Sequence, residues 1–275
     1  MGFKTILVHV DAGSAMAGRA EIAARLAQQH EAHLVGLHAL AVTPVPSFAL
    51  ADSANLIREA HTTALADLRK KAEAAFNEGV KRVGLNSHEW RMSTMDAAQA
   101  VPIHARHADL VVIAQAGTHD SGVAPDFPDR VILSSGRPVL LLPFAGKFGL
   151  PGKRVLVAWN ASRESTRALT DALPQLKLAE RVDVVAFNPD GAAHGEEPGA
   201  DIGLYLARHG VKVHVAHQKS KDVDVAGQIL SRLSDIGADL LVMGGYGHSR
   251  IREIVMGGVT REILRSMTVP VMMSH

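Results

Sequence analysis

Lys4-Thr5-Ile6-Leu7-Val8-His9-Val10-Asp11 is a short, mostly apolar run, and Lys153-Arg154-Val155-Leu156-Val157-Ala158-Trp159-Asn160 repeats its form 149 positions later. Two further pairs follow in the same order. Ala108-Asp109-Leu110-Val111-Val112-Ile113 matches Ala238-Asp239-Leu240-Leu241-Val242-Met243 at an offset of 130. Arg137-Pro138-Val139-Leu140-Leu141 matches Val269-Pro270-Val271-Met272-Met273 at 132. Preserved order with a reduced offset signals a duplicated unit whose second copy is shorter in its middle. Most of the missing length falls between the second and third strands, where the first copy carries Ala41–Arg82.

Within each copy, strand-like and helix-like segments alternate. In copy two, Arg154–Trp159 reads as a strand. Ser162 then caps a helix reaching about Leu176, which Pro174 should distort or end. Arg181–Phe187 is the next strand, Asp201–His209 a helix and Val211–His217 the third strand. Val225/Ala226, Ile229/Leu230, Leu233 and Ile236 recur at helical spacing. Leu240–Met243 and Val269–Met273 complete five strands. Copy one follows the same scheme, opening on the strand Thr5–Val10 and ending on Val139–Leu142, with a longer helix between about Asn55 and Gly79. Strands joined through helices imply right-handed crossovers and a parallel sheet covered on both faces. The expected fold class is therefore α/β: two tandem open parallel five-stranded sheets flanked by helices. The Pro- and Gly-rich link Pro143–Gly152 is the natural boundary, giving domains 1–145 and 146–275.

Composition narrows the chemistry. Hydrophobic residues make up 47% of 275, enough for two cores. There are no cysteines, which removes disulfides and thiolate chemistry. A net charge of +1 without a basic block argues against nucleic acid as partner. No apolar run is long enough to span a membrane and the N-terminus lacks a signal-peptide pattern, so a cytoplasmic location is expected.

In open parallel sheets, ligands sit beyond the carboxyl ends of the strands. Copy two presents Trp159-Asn160-Ala161, Phe187-Asn188-Pro189 and the stretch Met243 to Thr260 there. Gly244 and Gly247 permit tight turns and close approach of a ligand. Gly257 and Gly258 precede an apolar helical pattern at Val259, Ile263, Leu264 and Met267, so exposed amides at that helix start suit a phosphate. His248, Arg250 and Arg252 lie nearby, where they contact either ligand or solvent. No Gly-Lys-Ser/Thr follows the glycines, and no dinucleotide fingerprint follows either first strand.

These residues carry a resemblance. The chain resembles a tandem universal stress protein with two UspA-type domains covering nearly all of it, of adenine-nucleotide alpha-hydrolase-like fold. The supports are the opening strands ending in Asp11 or Asn160, the Asp109/Asp239 strand starts, the closing Pro-Val-Leu/Met strands, and Gly244-x-x-Gly247 followed after nine residues by Gly257-Gly258. The resemblance implies binding of ATP or a related adenine nucleotide in the C-terminal domain, with Mg²⁺ as an optional companion. Asn160 would lie near base and ribose, and Phe187 and Met243 would border the adenine. Gly244, Gly247, Gly257, Gly258 and the Val259 amide would hold ribose and phosphates. Two departures matter: Gly258 stands where nucleotide-binding members carry a hydroxyl, and Asn160 where they carry a carboxylate. Losing a charge-assisted bond of about 1.5–3 kcal/mol weakens ATP about tenfold to a hundredfold, or abolishes binding. In copy one, Ala114 aligns with Gly244 and Gly117 with Gly247, while Pro125-Asp126 replace the glycine pair. Proline removes an amide and aspartate adds a negative charge, so the first domain reads as degenerate.

Other chemistry is weaker. Ser249 beside His248 lacks a nucleophile elbow. His104/His107 and His214/His217 lack a third metal ligand. Asp109 and Asp239 sit at the end of the sheet opposite the inferred site and read as structural, while His9, His38, Trp90 and Trp159 read as packing. Magnesium-dependent kinase or phosphatase chemistry has no acid–base constellation, leaving at most slow ATP hydrolysis. The apolar fifth strands Val139–Leu142 and Val271–Met273 are expected to pair within the chain, as the resemblance also implies. The segment Ala41–Arg82 is a candidate surface for a homodimer. The functional reading is a stress-response adenine-nucleotide binder. Its alternatives are a non-enzymatic scaffold or partner-binding protein that has lost ATP, and a small-molecule or lipid binder using the interdomain cleft.

Overall fold

A computed structural model describes residues 2–39, 51–116, 123–146, 148–189, 197–247 and 258–275, the side chains of 51–58 and 61 excepted. The first repeat runs β1 (Thr5–Val10), α1 (Met16–His30), β2 (His33–Ala39), α2 (Ala51–Val83), β3 (His88–Ser93), α3 (Ala97–Ala105), β4 (Leu110–Ala114), α4 (Phe127–Ser134), β5 (Val139–Leu142). The second runs β6 (Arg154–Trp159), α5 (Arg163–Leu176), β7 (Arg181–Phe187), α6 (Ala200–Arg208), β8 (Val213–Gln218), α7 (Val225–Ile236), β9 (Leu240–Gly244), α8 (Val259–Ser266), β10 (Val271–Ser274).

Each repeat is a parallel five-stranded sheet, and the two join into one ten-stranded sheet of order β3-β2-β1-β4-β5-β10-β9-β6-β7-β8. The seam is the antiparallel pair β5–β10, with Val139 opposite Met273, Leu140 opposite Met272 and Leu141 opposite Val271. Leu140 and Met272 are equivalent positions in the two repeats, so the pseudo-twofold passes between them. All four residues of β5 and all four of β10 are buried. The expected fifth-strand pairing is present.

Side-chain alternation along the strands feeds two cores. Ile6, Val8, Val155 and Val157 meet α1, α2, α5 and α6 on one face. Leu7, Leu156, Leu241 and Met243 meet α3, α4, α7 and α8 on the other. Asp109 and Asp239 have the structural role expected of them. The Asp109 carboxylate accepts from the backbone N–H of Lys4 (2.7 Å) and Thr5 (3.0 Å), and Asp239 accepts from Gly152, Lys153 and Arg154. In each repeat this residue fastens the beginning of the central strand.

Several boundaries differ from the sequence reading. α2 spans Ala51–Val83 rather than about Asn55–Gly79, because Ala72, Phe76 and Val80 keep its last turns packed on the sheet. α5 passes through Pro174 to Leu176: Pro174 removes one N–H, while Leu169, Ala172 and Leu176 on the helix's buried face hold it in place. β8 begins at Val213 instead of Val211, and β10 begins after Pro270, which has no N–H to donate. α6 ends at Arg208, one residue before the expected His209.

Candidate functional site

The carboxyl ends of β7, β6 and β9 lie side by side. Ala158 is opposite Val185 on β7 and Met243 on β9, and Phe187 lies two residues beyond Val185. Phe187 and Met243 are buried on the α7/α8 face, while the small Ala158 between their strands is only partly covered. An alanine flanked by larger side chains leaves a dip in the sheet at this end.

The turns leaving these strands share an unusual backbone. Ala161 (φ 56°), Asn188 (φ 47°) and Tyr246 (φ 58°) adopt the left-handed conformation, which is costly for non-glycine residues. They follow β6, β7 and β9 respectively. In copy one the only described non-glycine residue with positive φ is Glu31, at the far end of α1. Local hydrogen bonds hold the turns. Asn160 is exposed, and its Oδ1 accepts from the Ser162 N–H (3.2 Å) and hydroxyl (2.7 Å). Ser162 caps α5 by accepting from the Ser165 N–H at 3.1 Å, as its position predicts. The Asn188 Oδ1 accepts from the Ser220 N–H at 2.8 Å.

Gly244 and Gly247 face the start of α5. A Cβ on Gly244 would lie 2.5 Å from the Ser165 nitrogen, and one on Gly247 would lie 3.1 Å from Glu164 Oε2. Close helix approach therefore requires glycine at 244 irrespective of any ligand. It also brings the buried Glu164 carboxylate against this loop. The loop is tied to the last helix by Thr260, whose hydroxyl accepts from the Tyr246 N–H at 3.1 Å. Thr260 was not singled out in the sequence; a hydroxyl two residues beyond the glycine pair was its available signal. Gly258 is the N-cap of α8 in extended conformation (φ −49°, ψ 152°), and Val259 is the first helical residue, half-buried. Gly257, His248, Ser249, Arg250 and Arg252 lie outside the described residues.

Copy one places Asp126 as the N-cap of α4, the position of Gly258 in copy two, and this Asp is exposed. The aligned Gly117 falls outside the described residues. Asp11 repeats the turn made by Asn160, accepting from the Gly13 N–H at 2.9 Å, but its other oxygen is engaged by buried Arg19. Among the described residues no group of three or more His, Asp or Glu is arranged to hold a metal. His214 and His217 are exposed on β8. No helix of the described residues is long and apolar enough to cross a membrane.

A duplicated parallel α/β sandwich, joined through its fifth strands and carrying shaped turns at the carboxyl edge, defines a recognisable class. Residues 2–143 and 152–275 each match the universal stress protein family, and the chain belongs to that family. Universal stress protein Slr1230 of Synechocystis sp. is 30% identical over 148 residues, 52% of this chain and 49% of the relative. Universal stress protein MJ0577 of Methanocaldococcus jannaschii is 33% identical over 58 residues, 20% of this chain and 36% of the relative. The chain thus spans about half, or less, of the length of these curated relatives. A solved universal stress protein from Archaeoglobus fulgidus superposes with TM-score 0.68 at 17% identity, covering 98% of this chain and 94% of that one.

Proposed function

We propose that the second repeat binds ATP or a related adenine nucleotide at the carboxyl ends of β6, β7 and β9. The observation that carries this reading is the coincidence of three left-handed non-glycine residues, Ala161, Asn188 and Tyr246, at the ends of three adjacent strands. Strained turns of this kind persist where surrounding structure holds a site in shape. The dip over Ala158, bordered by Met243 and Phe187, suits a flat base. Asn160 lies on the rim, with its amide as donor to base or ribose. Gly244, Gly247, Gly257, Gly258 and the Val259 amide form the phosphate side, at the positive end of the α8 dipole. Mg²⁺ as a companion would arrive held by the phosphates. The role is binding, in a stress-response protein whose first repeat serves as structural partner.

The test is calorimetric titration of the full chain with ATP and Mg²⁺, together with mass spectrometry of ligand released from freshly purified protein. One site per chain is expected. The extended backbone at Gly258 accepts a serine, so Gly258→Ser should tighten ATP by about tenfold to a hundredfold through one charge-assisted bond. Wild type and Gly258→Ser both failing to bind would remove the assignment. The proximity of Glu164 supports a second expectation: Glu164→Gln should improve ATP more than adenosine, because only the phosphates feel the lost negative charge.

A further inference from the structure

A cavity of about 550 Å³ lies between the first half of α1 and the linker that follows β5. It is built from the first repeat and the linker alone, apart from the nucleotide site proposed above. Its polar wall is Arg19 with Asp11. The Arg19 side chain is only 4% exposed, and its Nη2 engages the Asp11 carboxylate at 2.5 Å while Nε donates to the His9 carbonyl at 3.2 Å. Nη1 has no acceptor among the described residues, yet it is not one of the sealed, unsatisfied atoms. A guanidinium has five donors, so the remaining pair opens on the cavity. The same wall carries the start of α1, whose N-cap Ala15 offers no side-chain cap, leaving the positive end of a 15-residue helix beside Arg19.

The opposite wall is apolar. Phe144 and Phe148 of the linker line it, and Phe144 remains 48% exposed. At the rim, Arg25 and Arg82 both reach Glu21, at 2.8 and 3.3 Å. Among the described residues each arginine of the lining has a carboxylate partner: Arg19 has Asp11, Arg25 has Glu21, and Arg82 has Glu78 as well as Glu21. A buried guanidinium with one unused N–H pair, facing an aromatic wall, defines a ligand class.

We propose that this cavity binds a small monocarboxylate with an aromatic or branched apolar body, its carboxylate on Arg19 Nη1 and the start of α1, its body against Phe144 and Phe148. A carboxylate oxygen matches the unused donors on Nη1 of Arg19, and a charge-assisted bond to a guanidinium is stronger than a neutral one. The volume is that of an ordinary small-molecule site.

The test uses the full chain, with 2-naphthoate and neutral 2-naphthamide as probes, titrated by calorimetry and by ligand-observed NMR. One naphthoate per chain is expected, bound at least about tenfold tighter than the amide, the worth of one charge-assisted bond. Arg19→Lys keeps the charge facing Asp11 but loses the planar pair, and should narrow that ratio to about threefold or less. Gly18 lines the cavity and a Cβ there meets nothing within 4 Å, so Gly18→Leu carries its side chain into the cavity from an unobstructed Cβ and improves helix propensity. This variant should lose naphthoate binding with an unchanged or higher melting temperature, and should leave any ATP titration as in wild type. Equal affinity for acid and amide, binding that survives Gly18→Leu, or no binding at millimolar naphthoate would each overturn the proposal. None of these outcomes bears on nucleotide binding in the second repeat.

Discussion

His9 sits on β1 with 1% of its surface exposed, its ring 4.9 Å from that of Phe127 and its Nδ1 without a partner. Burial is the main force on its titration. Asp11 pulls the pKa up, but Arg19 and His38 push it down further, and it falls from 6.5 to about 3. The unfolded chain therefore takes a proton below pH 6.5 that the folded chain refuses. The associated stability is complete above about 6.5 and drains away as pH falls toward 3, reaching a loss of about 2 kcal/mol at pH 5. His30, lowered by burial despite its bond to Gln175, acts in the same direction. The melting temperature should drop from pH 7 to pH 5, and His9→Phe, which replaces the titrating ring, unpartnered Nδ1 included, with an apolar one, should flatten that decline. An unchanged slope in the variant would mean another group carries the acid sensitivity. The sequence reads His9 as packing but gives no sign of its titration, since it is one histidine among 15. Its environment is made by Arg19, ten residues away, and by His38 on the neighbouring strand.

The elements show where pattern reading succeeds and where packing overrides it. Strands β1, β5, β6 and β7 match their sequence-read bounds, since a short apolar run between turn signals has few other uses. The end of α2 was harder to place because Gly79 looks like a stop signal. In the structure Gly79 is buried inside the helix, and a Cβ there would strike the Ala17 carbonyl, Ala20 and the Glu21 nitrogen of α1. It is a contact glycine that lets α1 and α2 touch, with Arg82 reaching Glu21 one turn further on. Two effects then oppose each other in Gly79→Ala. Helix propensity gains about 1 kcal/mol, whereas overpacking against backbone costs about 1–3 kcal/mol. The obstructing atoms belong largely to backbone and cannot rotate away, so the clash should win. Thermal melts should show Gly79→Ala below wild type, the reverse of Gly18→Leu, although both replace a glycine in a helix. A stabilised Gly79→Ala would mean the two helices separate at little cost.

At the scale of the whole molecule, the duplication was legible because three motif pairs keep their order, and the pairing of fifth strands followed from their apolar character. What fastens the two halves beside that seam was not legible, since it depends on polar side chains that cross between the repeats: His30 with Gln175, Arg167 with the Gly136 carbonyl, and above all Gln115. Buried Gln115, just after β4, donates through Nε2 to the Leu264 and Arg265 carbonyls at 2.9 and 3.1 Å, and its Oε1 accepts from the Phe144 N–H at 3.1 Å. A residue of the first repeat thus completes the C-terminal end of α8, whose last carbonyls have no helical donor. The same bond set anchors the first linker residues. Gln115→Leu keeps the volume and abandons three backbone groups, at a cost of about 2 kcal/mol. Because Gly258 and Thr260 stand at the other end of this eight-residue helix, loosening its far end should also disturb the turn that Thr260 holds through Tyr246. Scanning calorimetry of wild type should give one transition, as befits a continuous ten-stranded sheet. In Gln115→Leu that transition should fall by several degrees, and hydrogen exchange should quicken in α8 more than in α4. If exchange in α8 stayed as slow as in wild type, Gln115 would be a passenger of the interface, and the halves would be held by the β5–β10 pair and the remaining bonds beside it.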